Sequence, residues 1–185
     1  MASKKFQNSK KVSFLDTIPK VFIDSDTNKL TLKCKFNFAY FDNSQEVGQD
    51  FSDWSQNELK KLLDKLKEYS KESLVYWSKV EIGKAKYRSH ILEVYEKFPI
   101  ESDFIKPTFV PDDISWARFR LENSVRLIGF IIPEKYHDKI HQKTEERFDK
   151  NTFYIVFLDK NHLFYKIKNN QKENNDNNRG KLTSR

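Results

Sequence analysis

One cysteine, Cys34, in 185 residues excludes an internal disulfide. A reducing, cytoplasmic setting is the simplest expectation. No apolar run is long enough to span a bilayer, so no membrane is expected among the partners. The first eleven residues, MASKKFQNSKK, lack the apolar stretch of a secretory signal. The patterns GxxxxGK[ST], GxGxxG and GxSxG are missing, so nothing points to P-loop, dinucleotide or nucleophile-elbow chemistry. The segment HDKIH puts His137 and His141 at a helical metal-pair spacing, but the glutamate of HExxH is not there. Two histidines in so charged a stretch read as solvated, and no metal or other cofactor is expected. No internal repeat is found.

The charge that is present is unevenly placed. The net charge is +7, and the two ends carry all of it. Residues 1–11 hold four lysines and no acid, and residues 168–185 hold five basic and two acidic side chains. The interval 12–167 is therefore neutral, and a basic site there depends on where its charges point. The Asn-rich tail has no hydrophobic period. The expected organisation is a disordered basic arm over 1–11, a single α+β domain over 12–167 and a disordered tail over 168–185.

Aromatic residues make up 15% of the chain, enough for a packed core. LTLKCKFNFAYF (30–41) alternates, with Leu30, Leu32, Cys34, Phe36, Phe38 and Tyr40 on one face, and predicts a half-buried strand. Cys34 falls in the apolar row and reads as a core thiol. Ser55 followed by Glu58 fits a capping box. Leu59, Leu62, Leu63, Leu66, Tyr69, Leu74 and Trp77 then predict one long amphipathic helix over 56–79. Residues 87–98 predict a short helix or turn ending before Pro99. The segment 133–150 reads as a long charged connection. TFYIVFLD (152–159) predicts a central strand, DKN a tight turn, and HLFYKI (162–167) a returning last strand. The fold class is α+β, an antiparallel sheet with a long and a short helix packed on one face.

WARFRLENSVRLIGF (116–130) is a hairpin that a supporting role leaves unexplained. Alternation puts Trp116, Arg118 and Arg120 on one face, and the short turn brings Arg126 beside Arg120. Guanidinium stays charged and grips phosphate with two bonds, and an aromatic neighbour offers a base a stacking surface. The plainer alternative is pairing with Asp112, Asp113 or Glu122. His162, on the segment after the last apolar strand, suits acid–base work near neutral pH. His162 and Tyr165 are an odd number of residues apart, so they share a site only where a bulge or strand end intervenes. Arg88 and His90, in YRSH, are candidates to extend a basic cleft.

FRLENSVRLIGFII followed by FYIVFLDKNHLFY resembles the RelE/ParE-type toxin superfamily over residues 112–167. The resemblance implies a small antiparallel sheet with two N-terminal helices. Its RelE-like branch comprises endoribonucleases that cut messenger RNA without metal, typically in the ribosome, and its ParE-like branch inhibits gyrase. Carried to this sequence, it implies RNA binding by Arg118, Arg120, Trp116, Arg88 and His90. It implies catalysis by His162, Tyr165 and Arg126, and an antitoxin protein as partner. The leading expectation is a metal-independent, RelE-like endoribonuclease. A non-catalytic RNA- or protein-binding module and a purely structural partner protein stand beside it.

Overall fold

The structure, a computed structural model, describes residues 29–83 and 88–166, together with positions 14, 17, 18, 22 and 23. The basic arm and the Asn-rich tail lie outside the described residues. No helix among the described residues is long and apolar enough to cross a membrane.

The chain is a mixed α/β fold. Strand β1 (Lys35–Asn37) is followed by helices α1 (Gln56–Tyr69) and α2 (Leu74–Trp77). Then come a two-stranded ribbon of β2 (Glu81–Ile82) and β3 (Ser89–His90), and strands β4 (Leu92–Tyr95), β5 (Ser115–Glu122), β6 (Val125–Ile131) and β7 (Thr152–Asp159). The main sheet runs β1-β7-β6-β5-β4. All of its pairings are antiparallel except β1 with β7, which is parallel. The purely antiparallel sheet expected from the sequence is therefore corrected to a mixed one.

The helices cover one face. Leu62, Tyr69, Leu74 and Trp77 pack on Leu92, Ala117, Phe119, Leu127, Phe153 and Ile155, with Phe36, Leu59 and Leu66 at the margin. Cys34 lies in this cluster and donates through Sγ to the carbonyl of Tyr69 at 3.0 Å. Burial pushes its thiol up to about 12, so it is an inert core group. The other face carries a second cluster of Trp116, Ile128, Phe130, Val156 and Phe157, roofed by Phe104 and Val110 of the 96–114 loop between β4 and β5 and by Phe164. Both faces of β5–β7 are thus buried. Gly129 marks a bulge in the β6–β7 pairing, where a Cβ would stand 2.1 Å from the Tyr154 carbonyl oxygen.

Four expected elements differ. The strand expected over 30–41 survives only as β1, with Leu30–Leu32 forming a 3-10 turn. Asn37 ends it by accepting the Ala39 N–H at 2.8 Å through its side chain. Tyr40 then joins the second cluster rather than the first. The helix expected over 56–79 begins as predicted, with Ser55 and Glu58 in a capping box, but stops at Tyr69. Ser70 bonds back to Leu66, and Ser73 caps α2 afresh. Ser89–His90 and Leu92–Tyr95 form β3 and β4 instead of a helix or turn, because backbone pairing of β3 with β2 and of β4 with β5 outweighs local preference. The last strand expected over 162–167 is absent from the described residues 162–166. A side-chain-held turn replaces it.

Candidate functional site

On β5, alternation sends Ala117, Phe119 and Leu121 under the helices and Trp116, Arg118 and Arg120 to the other face. Pairing sets Arg120 opposite Arg126, Arg118 opposite Glu93, and Arg126 opposite Asp159. The hairpin turn that permits this has Asn123 in the left-handed region at φ 36°. Three guanidiniums therefore start from adjacent positions of two neighbouring strands.

Asp159 ends β7 and is 1% exposed. Its Oδ1 accepts the N–H groups of Asn161 at 3.1 Å and Leu163 at 3.0 Å, and its Oδ2 accepts that of Phe164 at 3.0 Å. These bonds curl 160–164 back over the sheet, with His162 in the left-handed region at φ 59°. The imidazole then meets the arginines: Arg118 Nη1 donates to His162 Nε2 at 2.8 Å. The strand end thus brings His162 to the arginine face, the condition that alternation demanded. Tyr165 stacks on Tyr95, ring centroids 5.1 Å apart, and keeps 40% of its surface exposed.

Positive charge dominates the cluster, offset in part by the buried Asp159 carboxylate. Arg126 is buried and is held at about 10, by burial first and then by Arg118 and Arg120. Its Nη1 donates to the carbonyls of Asn123 and Val125, while its Nε has no partner. Arg118 Nε is likewise buried and unpartnered, and the buried Tyr95 hydroxyl lies against the Arg118 guanidinium. Burial pushes Tyr95 up to about 12 against the pull of Arg118. His162 is lowered by burial, then by Arg126 and Arg118, and is neutral at pH 7. Buried donors without acceptors in a native structure call for an explanation, and an anion supplies one.

The carboxylates that would make these arginines ordinary surface ion pairs are engaged elsewhere. Asp112 pairs with Lys106, Asp113 accepts from the Tyr136 hydroxyl, and Glu122 pairs with Lys61. Glu93 accepts from Ser89 and from the His90 amide. Among the described residues no carboxylate stands within ion-pair distance of Arg118, Arg120 or Arg126.

The other candidates fall differently. Trp116 is 2% exposed and packed against Phe98, Phe157 and Phe164, so it offers no stacking surface. Arg88 pairs with Glu81 on the exposed ribbon. His90 Nδ1 stands 3.7 Å from Glu93 and so borders the cluster without entering it. His137 lies 3.4 Å from Asp138, and His141 bonds Thr144. No group of three or more metal-ligating side chains exists among the described residues. Reading the sequence missed Asp159 and Tyr95. The LDKNH turn signalled the first, because an aspartate two residues before a free amide is a turn former. Nothing local signalled the second.

No protein-family model, curated protein or solved structure matches the chain.

Proposed function

We propose that the chain is a metal-independent endoribonuclease of RelE-like type. The observation that carries this reading is the contact of Arg118 with His162, beside Arg126 and Arg120, in a cluster that the buried Asp159 offsets only in part and no carboxylate joins in an ion pair. Two helices followed by the antiparallel strands β4–β7 are in keeping with the RelE/ParE resemblance, while β1, ahead of the helices, is an addition to that pattern. In this reading a backbone phosphate accepts from Arg118 and Arg126, and Arg120 offsets charge at its edge. Drawn to the phosphate, the Arg118 guanidinium releases His162 Nε2. The neutral imidazole takes the 2′-hydroxyl proton as the 2′-oxygen attacks phosphorus. The bond from phosphorus to the 5′-oxygen breaks, and the imidazolium returns its proton to that oxygen. Tyr165 offers a flanking base its outer face. The ribosome as the setting and an antitoxin that covers the arginine face belong to the same reading.

One observation favours a second reading. Nε2 of His162 is already occupied by Arg118, which suits a non-catalytic module that binds RNA through the same cluster.

Labelled RNA incubated in EDTA separates the two. For a nuclease, Arg120→Ala lowers affinity and cleavage together and reduces the salt slope by about 0.7–0.9. His162→Ala leaves affinity unchanged and slows cleavage by roughly 10²–10⁴-fold. Binding without cleavage by the parent selects the module. A parent that neither binds nor cleaves RNA refutes both.

A further inference from the structure

The far end of the arginine-bearing face holds a cavity of about 330 Å³ that the phosphate reading leaves unused. Its walls include Tyr40, Phe130, Tyr136, Phe148 and Tyr154, with the Asp113 carboxylate among them. Phe130 and Tyr154 stack face to face, centroids 4.8 Å apart, and Tyr40 stands edge-on to both. Phe130 lies four residues along β6 from Arg126, which is about 13 Å at strand rise. A single strand anchored at the arginines therefore has a second station within a short reach.

The chemistry narrows the occupant. Phe130 is buried and backs Tyr154, so the rings available to an occupant are those of the partly exposed Tyr40, Tyr136 and Tyr154, and these suit a flat ring. Asp113 Oδ2 accepts from the Tyr136 hydroxyl at 2.7 Å, which fixes the carboxylate while leaving lone pairs on both oxygens. Such a group accepts two neighbouring N–H donors side by side. Among the RNA bases only guanine presents that pair on one edge. An organic cation fits less well. The ammonium groups of Lys135 and Lys139 already stand 5.1 and 5.5 Å from the Tyr136 ring centre and repel a further positive charge. The same two lysines favour a phosphate-bearing polymer beside Tyr136.

We infer that this cavity is a nucleobase subsite that selects guanine, held between the aromatic walls and the Asp113 carboxylate. The inference takes its polymer from the phosphate reading, but nucleosides test it independently because they carry no phosphate.

The test is calorimetric titration of the full chain with guanosine, adenosine, cytidine, uridine and choline. Guanosine is expected to bind at least about tenfold more tightly than the other three nucleosides. Asp113→Asn, a change at an exposed position, should abolish the preference. Arg118→Ala should leave guanosine binding unchanged. Absence of nucleoside binding at millimolar concentration overturns the inference, as does saturable choline binding alone or indifference to Asp113→Asn. RNA binding that is lost in Arg118→Ala while guanosine fails to bind leaves the phosphate reading standing and removes this one. Guanosine binding without any RNA binding does the reverse.

Discussion

Replacing Asp159 by asparagine tests whether one carboxylate builds the turn that delivers His162. Three backbone N–H groups end on its two oxygens. Hydrogen bonds to a charged group contribute about 1.5–3 kcal/mol each, and neutral ones about 1. If the amide oxygen takes the place of Oδ1, the bonds to Asn161 and Leu163 survive in weakened form. The amide nitrogen then faces the buried N–H of Phe164, donor against donor. One charged bond is lost and two are weakened, for a total cost of about 3–5 kcal/mol. Urea unfolding measures this directly. At a typical slope near 2 kcal/mol/M the midpoint falls by about 2 M with the slope unchanged. Sulfate affinity should fall as well, since the His162 turn loosens. A midpoint shift below about 0.5 M, with sulfate bound as by the parent, refutes the role given to Asp159.

Leu62 is 3% exposed in the helix-side cluster, and Leu62→Ala should cost about 2–5 kcal/mol in a denaturant titration; a change near zero refutes the packing of α1 on the sheet. His162 has its pKa lowered from 6.5, so the native state binds fewer protons than the unfolded chain. Its contribution to stability is complete above the unfolded value and is lost as pH falls through the folded one. Sulfate, whose charge is fixed across this window, should offset Arg126 and Arg118, raise the imidazole pKa and bind more tightly as pH falls. An NMR titration of the imidazole that shows no sulfate-dependent rise refutes the shared site.

The hairpin was readable because alternation, a short Asn-Ser turn and two long apolar faces all agreed over 115–131. The convergence of its arginines followed from that register alone. Other parts depended on contacts distant in sequence. The alternation of 30–41 was real, yet strand pairing requires a partner edge, and β7 offers β1 only the stretch Thr152–Tyr154. Leu30 and Leu32 are left 48% and 54% exposed. The 87–98 segment fits either period over its short length, and only the edges of β2 and β5 decide it. With that segment misread, Tyr95 could not be placed opposite Trp116 and its hydroxyl could not be placed in the site. Alternation places Trp116 on the arginine face, but the 96–114 loop and Phe164 cover that face as well and bury its ring.

On the proposed reading the arginine cluster carries a stability cost without its anion, and Arg126 is where that cost concentrates. Burial and two like-charged neighbours hold its guanidinium down to about 10. At about 1.4 kcal/mol per pH unit, and discounted for solvent screening, the folded state tolerates this charge at a cost on the order of 1–3 kcal/mol. Its two bonds to the Asn123 and Val125 carbonyls return about 1–3 kcal/mol. Methionine keeps most of the side-chain volume and removes the charge, at the loss of those bonds. Arg126→Met should therefore unfold within about 1 kcal/mol of the parent, or later, in a chloride-only buffer of low ionic strength. In sulfate the order should reverse, because ligand binding stabilises only the chain that retains the site. A Met variant that is weaker by 3 kcal/mol or more without sulfate, and equally responsive to it, would mean that Arg126 is a structural member of the hairpin turn. The remaining two arginines would then have to account for the proposed site by themselves.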